Sequence, residues 1–217
     1  MDKVFFYGAD VCPFAYRVRL ALSEKKINHE YVPVDLENKP DWFMEISPEG
    51  DVPILKYGDE IVWESNIINE FLEDAFPDIP LLPLNPVERS HARILIEYGN
   101  KKFQPCFCDL VFEPLESKHE AIRVKLHESF KYLDQELGKR PQGPYWLGEN
   151  ISLVDLTLYP FMEQAPVLAH YRDFELPGPD SLPHLHAWIA TMKNRPSVQE
   201  NTRDIEFYIE AYEYFVA

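Results

Sequence analysis

Apolar and polar positions alternate with two different periods along this chain, and the period changes about a third of the way through. The first stretch opens with Val4-Phe5-Phe6-Tyr7, a short apolar and aromatic run followed by Gly8, which reads as a buried strand. Tyr16 to Leu22 reads as a helix. His29 to Val34 reads as a second strand, and Lys39 to Ile46 as a short helix stopped by Ser47-Pro48-Glu49-Gly50. Val52 to Tyr57 and Glu60 to Trp63 flank Gly58-Asp59, the pattern of a hairpin. From Glu64 to Ala75, Ile67, Ile68, Phe71, Leu72 and Ala75 fall on one helical face. The order βαβ, α, ββα predicts a compact α/β unit of thioredoxin-like size.

The pattern then breaks. Between Pro77 and Pro86 stand four prolines, which exclude a regular helix or a central strand. Residues 79–86 are therefore expected to form a linker between a first domain, 1–78, and a second, 87–217. Strand signals nearly vanish beyond it. Val87 to Phe112, Ala121 to Leu137, Leu153 to Leu168 and Leu182 to Lys193 read as helices, with Asn194-Arg195-Pro196-Ser197 ending the last. Ser152-Leu153-Val154-Asp155 has the form of a capping box with Asp in place of Glu. Ile205 to Phe215 is a Tyr- and Phe-rich tail of helical character.

Composition narrows the function classes. The chain has 217 residues, 46% hydrophobic and 14% aromatic, enough for a packed core. A net charge of −16 argues against nucleic acid or an anionic membrane as partner. No apolar run approaches the roughly 20 residues that span a bilayer. Met1-Asp2-Lys3 leads directly into the first strand without room for a signal peptide, and three cysteines fit a reducing compartment, so a cytoplasmic protein is expected. Cys106 and Cys108 lie on different faces of a helix, and His184 and His186 are isolated, so no metal site is expected.

The chemistry concentrates at Cys12-Pro13-Phe14-Ala15. Pro13 suits the first position of a helix, which puts the Cys12 sulfur at a helix N-terminus. Free N–H groups and the macrodipole favour an anion there and are expected to lower the thiol pKa. The usual redox motif carries a second Cys where Ala15 stands. With no internal partner, a mixed disulfide at Cys12 would need an external thiol to resolve it. Arg17 and Arg19 read as surface or interdomain cations whose charge also favours a thiolate.

A thioredoxin-like unit, a Pro-rich linker and an all-helical second domain resemble the cytosolic glutathione transferases. Cys12-Pro13-Phe14-Ala15, Asn38-Lys39-Pro40-Asp41-Trp42-Phe43, Val52-Pro53-Ile54-Leu55 and Trp63-Glu64-Ser65 look like the omega class. Asn150 to Asp155 and His186 to Lys193 extend the likeness through the second half. The resemblance implies the glutathione transferase fold, a homodimer, and glutathione as co-substrate without a metal. It implies that Cys12 is the catalytic nucleophile and that Phe14 positions the ligand; Tyr7 is the rival catalytic candidate, because other transferase classes use a Tyr at the end of the first strand. Val52 would pair its backbone with the cysteinyl part, beside a cis Pro53. Lys39 would meet the glycyl carboxylate, and Glu64 and Ser65 the γ-glutamyl end. Phe103, Phe107 and Tyr159 are expected to wall a hydrophobic substrate site, with Phe207, Tyr208 and Tyr212 in the tail, where some members place a Trp. The implied activity is thiol transfer and dehydroascorbate reduction, the second substrate being a small disulfide, dehydroascorbate or an electrophile. The alternatives are conjugation of glutathione to electrophiles, or a transferase-like protein that binds partners without catalysis.

Overall fold

The computed structural model describes residues 2–140 and 142–216, and the chain divides into two compact units, Met1–Pro80 and Leu81–Ala217. The first holds a four-stranded sheet in the order β2-β1-β3-β4. β1 (Val4–Gly8) pairs in parallel with β2 (Glu30–Pro33), placing Phe6 beside Tyr31. It pairs antiparallel with β3 (Ile54–Tyr57), placing Phe6 opposite Leu55. β3 turns into β4 (Glu60–Trp63) through Gly58, whose φ of +61° glycine adopts without cost.

Alternation along β1 buries Val4, Phe6 and Gly8. α1 (Pro13–Glu24) and α3 (Ser65–Ala75) pack on each other. α1 contributes Val18, Leu20, Ala21 and Leu22 to the core, and α3 contributes Ile68 and Leu72. A second cluster forms under α2 (Asp41–Ile46). There Val34, Phe43 and Ile54 are buried, and Tyr7, Ile46, Val52 and Ile61 pack against them. Lys25 is buried at the end of α1. Its ammonium donates to Glu73 at 2.8 Å and to the Ile79 carbonyl at 2.7 Å, tying the first helix to the third and to the chain's exit from the unit. A buried cation needs such partners.

The second unit is helical. α4 (Pro86–Tyr98) is capped by Asn85, which accepts from the N–H groups of Val87 and Glu88. A π turn, Gly99–Phe103, joins it to α5 (Gln104–Phe112). The single helix expected over 87–112 is therefore two. Pro105 offers no N–H to the carbonyl four residues back and its ring crowds that carbonyl, so the helix cannot run through regularly. Gly99 allows the close approach of the helix that carries Leu158, since a Cβ there would lie 2.9 Å from a Leu158 methyl.

α6 (Glu116–Lys139) is followed by α7 (Leu153–Gln164), α8 (Pro166–Arg172) and α9 (Pro183–Lys193). Pro166 splits the helix expected over 153–168. Pro196, expected only to stop a helix, instead begins α10 (Pro196–Asn201), where its fixed φ and missing N–H suit the first turn. α11 (Ile205–Val216) completes the unit. Within the expected linker, Leu81 and Leu82 are buried, and the Leu81 carbonyl accepts from Leu153 N–H at 2.9 Å. That segment is thus built into the helical unit.

The capping box at Ser152 is part of a larger network. Asp155 is fully buried and accepts from Ser152 N–H, Ser152 Oγ, Trp146 N–H and Trp188 Nε1, at 2.9, 2.8, 3.1 and 2.8 Å. Burial pushes its carboxyl pKa up, and the four donors pull it back. No described helix is long and apolar enough to cross a membrane.

Candidate active site

The site is assembled at the ends of elements of the first unit, beginning with Cys12. Its backbone is extended (φ −75°, ψ 117°), Pro13 opens α1, and the Cys12 carbonyl accepts the first helical bond from Tyr16 at 3.0 Å. Cys12 is thus the N-cap, and its sulfur accepts from Ala15 N–H at 3.5 Å. Asp10 fixes the turn before it, accepting from Arg19 at 2.7 Å and from the Tyr31 hydroxyl at 2.8 Å. Arg19 is therefore a buried strut and not the surface cation its position suggested.

The thiol donates to the Val52 carbonyl at 3.8 Å. The cis peptide bond between Val52 and Pro53, implied by the family resemblance, is present and lies next to this carbonyl. Val52 is held from behind by the cluster under α2.

The balance of forces on Cys12 differs from the sequence expectation. Burial pushes the thiol pKa up and outweighs the other contributions. The N–H groups of Ala15 and Phe14 and the charge of Arg17 pull it down, while Asp51 adds to the upward push. The helix N-terminus pulls the pKa down as anticipated, but desolvation is the larger effect. A hydrogen bond donated to Val52 also belongs to the protonated form.

Glu64 and Ser65 stand at the start of α3. Ser65 is buried, and its Oγ accepts from Arg17 at 3.1 Å. Glu64 is exposed and holds φ at +66°, a conformation that L-residues rarely adopt and that concentrates at functional sites. Arg17 is the residue that sequence reasoning missed. Only 1% exposed, it sits 5.0 Å from the Phe14 ring while bonding Ser65, so it joins the segment carrying the nucleophile to the start of α3. A signal existed: Tyr16, Val18, Leu20, Ala21 and Leu22 leave α1 no polar face for a solvated arginine.

Lys39 is exposed just before α2 and forms an ion pair with Asp51 at 3.6 Å, one residue from Val52. The structure thus links Cys12 to Val52, Phe14 to Ser65 through Arg17, and Lys39 to the Val52 segment through Asp51. Tyr7, the rival catalytic candidate, packs against the α2 cluster, its ring 5.8 Å from that of Trp42. Burial, and after it the charge of Glu30, push the Tyr7 hydroxyl pKa up, which keeps the phenol protonated.

The expected substrate wall is corrected. Phe103, Phe107 and Tyr159 are 0%, 1% and 0% exposed. They form an aromatic core within the helical unit: Phe103 meets Phe130 and Phe161, Phe107 meets Phe161, and Tyr159 meets Trp188. Filled on all sides, they present no surface to a substrate. Tyr208 and Tyr212 are also buried, their hydroxyls donating to Glu163 at 2.8 Å and Gln164 at 2.7 Å.

Comparison with known proteins converges with this geometry. The profile of the glutathione S-transferase N-terminal domain matches residues 11–75, and that of the C-terminal domain matches residues 116–191. Glutathione S-transferase omega-2 of Rattus norvegicus is 32% identical over 88% of this chain and 75% of its own length. Glutathione transferase Omega 3C of Trametes versicolor superposes with a TM-score of 0.86 at 29% identity, covering 99% of this chain and 91% of that one. The dehydroascorbate reductase of Chlamydomonas reinhardtii gives a TM-score of 0.82 at 27% identity, covering 99% of each. The chain belongs to the glutathione S-transferase family, with relatives in its omega class and among its dehydroascorbate reductases.

Proposed function

We propose that the protein is a glutathione-dependent thiol transferase with dehydroascorbate reductase capacity, and that Cys12 is its sole reacting thiol. One observation carries the reading. At the position where a dithiol redox motif has its second sulfur, Ala15 supplies only a backbone N–H, 3.5 Å from Cys12 Sγ. The site can hold a thiolate but cannot close a disulfide on itself.

The chemistry follows. The Cys12 thiolate attacks one sulfur of a glutathione-containing disulfide; the new S–S bond joins Cys12 to glutathione, and the other half leaves as a thiolate that takes up a proton. A second glutathione, as thiolate, attacks the glutathione sulfur of that mixed disulfide. Oxidised glutathione forms, and Cys12 leaves as the thiolate. The net exchange consumes one glutathione and releases the other half of the substrate as a thiol; the second half of the oxidised glutathione is the glutathionyl group that the substrate disulfide brought in, so electrons balance. With dehydroascorbate two glutathiones supply the two electrons and two protons that yield ascorbate, and leave as oxidised glutathione.

Glutathione binds as an added strand at Val52. Its cysteinyl N–H takes the Val52 carbonyl, which in the free chain accepts from the Cys12 thiol. Losing that acceptor removes a hydrogen bond that only the protonated sulfur can donate, so ligand binding favours the thiolate. Ser65 and the N-terminus of α3 receive the γ-glutamyl carboxylate, Glu64 its ammonium, and Lys39 the glycyl carboxylate. Phe14 packs beside the ligand backbone. The protein works in a reducing, cytoplasmic setting, as a homodimer.

Trapping tests the reading. Incubation with oxidised glutathione, followed by peptide mass spectrometry, should find one glutathionyl group on the peptide containing Cys12. Modification confined to Cys106 or Cys108 would overturn it.

A further inference from the structure

The glycyl end of this site carries its own competitor. Lys39, a third exposed, is the cation next to the Val52 segment, and Asp51 is bound to it at 3.6 Å while itself 76% exposed. Most other ion pairs in the described chain close to 2.6–2.8 Å, so this one is long and open to water. The Asp51 carbonyl is fixed by Ser47 Oγ at 3.0 Å, which anchors the backbone and leaves the carboxylate on the surface. A peptide pairing antiparallel with Val52 runs its next residue toward position 51. The opposite direction meets Pro53, which has no N–H to offer. The glycyl carboxylate of glutathione therefore arrives where Asp51 already neutralises Lys39 and adds a negative charge of its own.

We propose that Asp51 sets the specificity of the glycyl end, so that the site takes glutathione with a masked glycyl carboxylate, as an ester or amide, nearly as well as glutathione itself. A free carboxylate gains Lys39 but must displace Asp51 and face its charge. A neutral or cationic terminus leaves the Lys39–Asp51 pair intact and meets no repulsion. The inference rests on the glutathione reading above and concerns only which glutathione derivatives the site accepts.

Anaerobic calorimetry with reduced glutathione and with its glycyl monoethyl ester, on the wild type and on Asp51→Asn, tests it. In the wild type the two ligands should bind within about 3-fold of each other, the span expected when an exposed ion pair is exchanged for another. Asp51→Asn should tighten glutathione by about 3- to 5-fold and leave the ester unchanged, widening the ratio to roughly 10-fold. An ester at least about 10-fold weaker than glutathione in the wild type, with no change in Asp51→Asn, would overturn the proposal while leaving glutathione as the ligand. Failure of both ligands to bind the wild type would instead remove the glutathione reading on which it rests. Asp51 is exposed and its side chain supports no core contact, so the variant is expected to fold; a melting temperature equal to that of the wild type checks this.

Discussion

At the scale of single residues, Cys12 is governed by opposing forces: it is half-buried and partly cut off from water, while the N–H groups of Ala15 and Phe14 and the charge of Arg17 act on it. Burial wins. Only the thiolate is alkylated, so a raised pKa means that the rate of iodoacetamide modification of Cys12 rises with pH to a midpoint above the ordinary thiol value of about 8.5. A midpoint below that value in ligand-free protein would contradict this balance. Ser65 gives a second prediction. Ser65→Ala removes the proposed γ-glutamyl anchor and a hydrogen-bond partner of Arg17, and glutathione affinity should fall by roughly 10-fold, the scale of one hydrogen bond involving a charged group. Unchanged affinity in calorimetry would remove Ser65 from the site. The placement of Cys12 at the start of α1, of Val52 just before β3 and of Ser65 at the start of α3 was legible in the sequence, because a Cys-Pro, a Val-Pro and a Glu-Ser each mark a local element boundary. Arg17 was not, because its role depends on α3 packing against α1, a contact some fifty residues away in sequence. The thiol pKa direction was misjudged for a related reason: a motif states which dipoles point at a sulfur but not how much water reaches it.

At the scale of elements, the hydrophobic pattern located nearly every helix and strand, and proline decided where it misled. Pro105 and Pro166 divide what periodicity reads as continuous helices, and Pro196 starts a helix where it was expected only to stop one. The steric rule is the same in each case, and its outcome depends on whether the following residues can bury a face. The aromatic residues show the converse. Phe103, Phe107 and Tyr159 look alike in sequence whether they line a cleft or fill a core, and only their packing partners separate the two. α7 is the element on which the helical unit is built, and Asp155 holds its start by receiving four hydrogen bonds. Asp155→Ala would leave buried donors on Trp146, Ser152 and Trp188 without an acceptor. Chemical denaturation should show a loss of at least about 3 kcal/mol. The alkylation rate of Cys12 in whatever protein remains folded should be unchanged, because Cys12 lies in the other unit. A loss below about 1 kcal/mol would mean that the network is dispensable.

At the scale of the whole molecule, the chain divides its labour. The α/β unit carries every residue proposed to touch glutathione, from Cys12 to Ser65, and the helical unit forms a separate aromatic core. The glutathione-binding role predicts linkage between ligand and folding. Glutathione at about 100 times its dissociation constant should stabilise the native protein by about 2.7 kcal/mol, read as a rise in melting temperature. The rise should persist in Cys12→Ser, which keeps the binding groups, and shrink in Ser65→Ala at the same glutathione concentration. Absence of any shift in the wild type would point to a protein that keeps the fold without its ligand.

The central claim is that a single thiol, Cys12, performs the chemistry and that glutathione resolves it. Glutathione-dependent reduction of hydroxyethyl disulfide by the wild type and by Cys12→Ser measures this directly. The account predicts robust turnover by the wild type and loss of at least about 100-fold in the variant, the scale expected when a reacting nucleophile is removed. Turnover retained by Cys12→Ser would contradict it and shift attention to Tyr7 and conjugation, and absence of turnover in both would leave a transferase-like protein that binds without this catalysis.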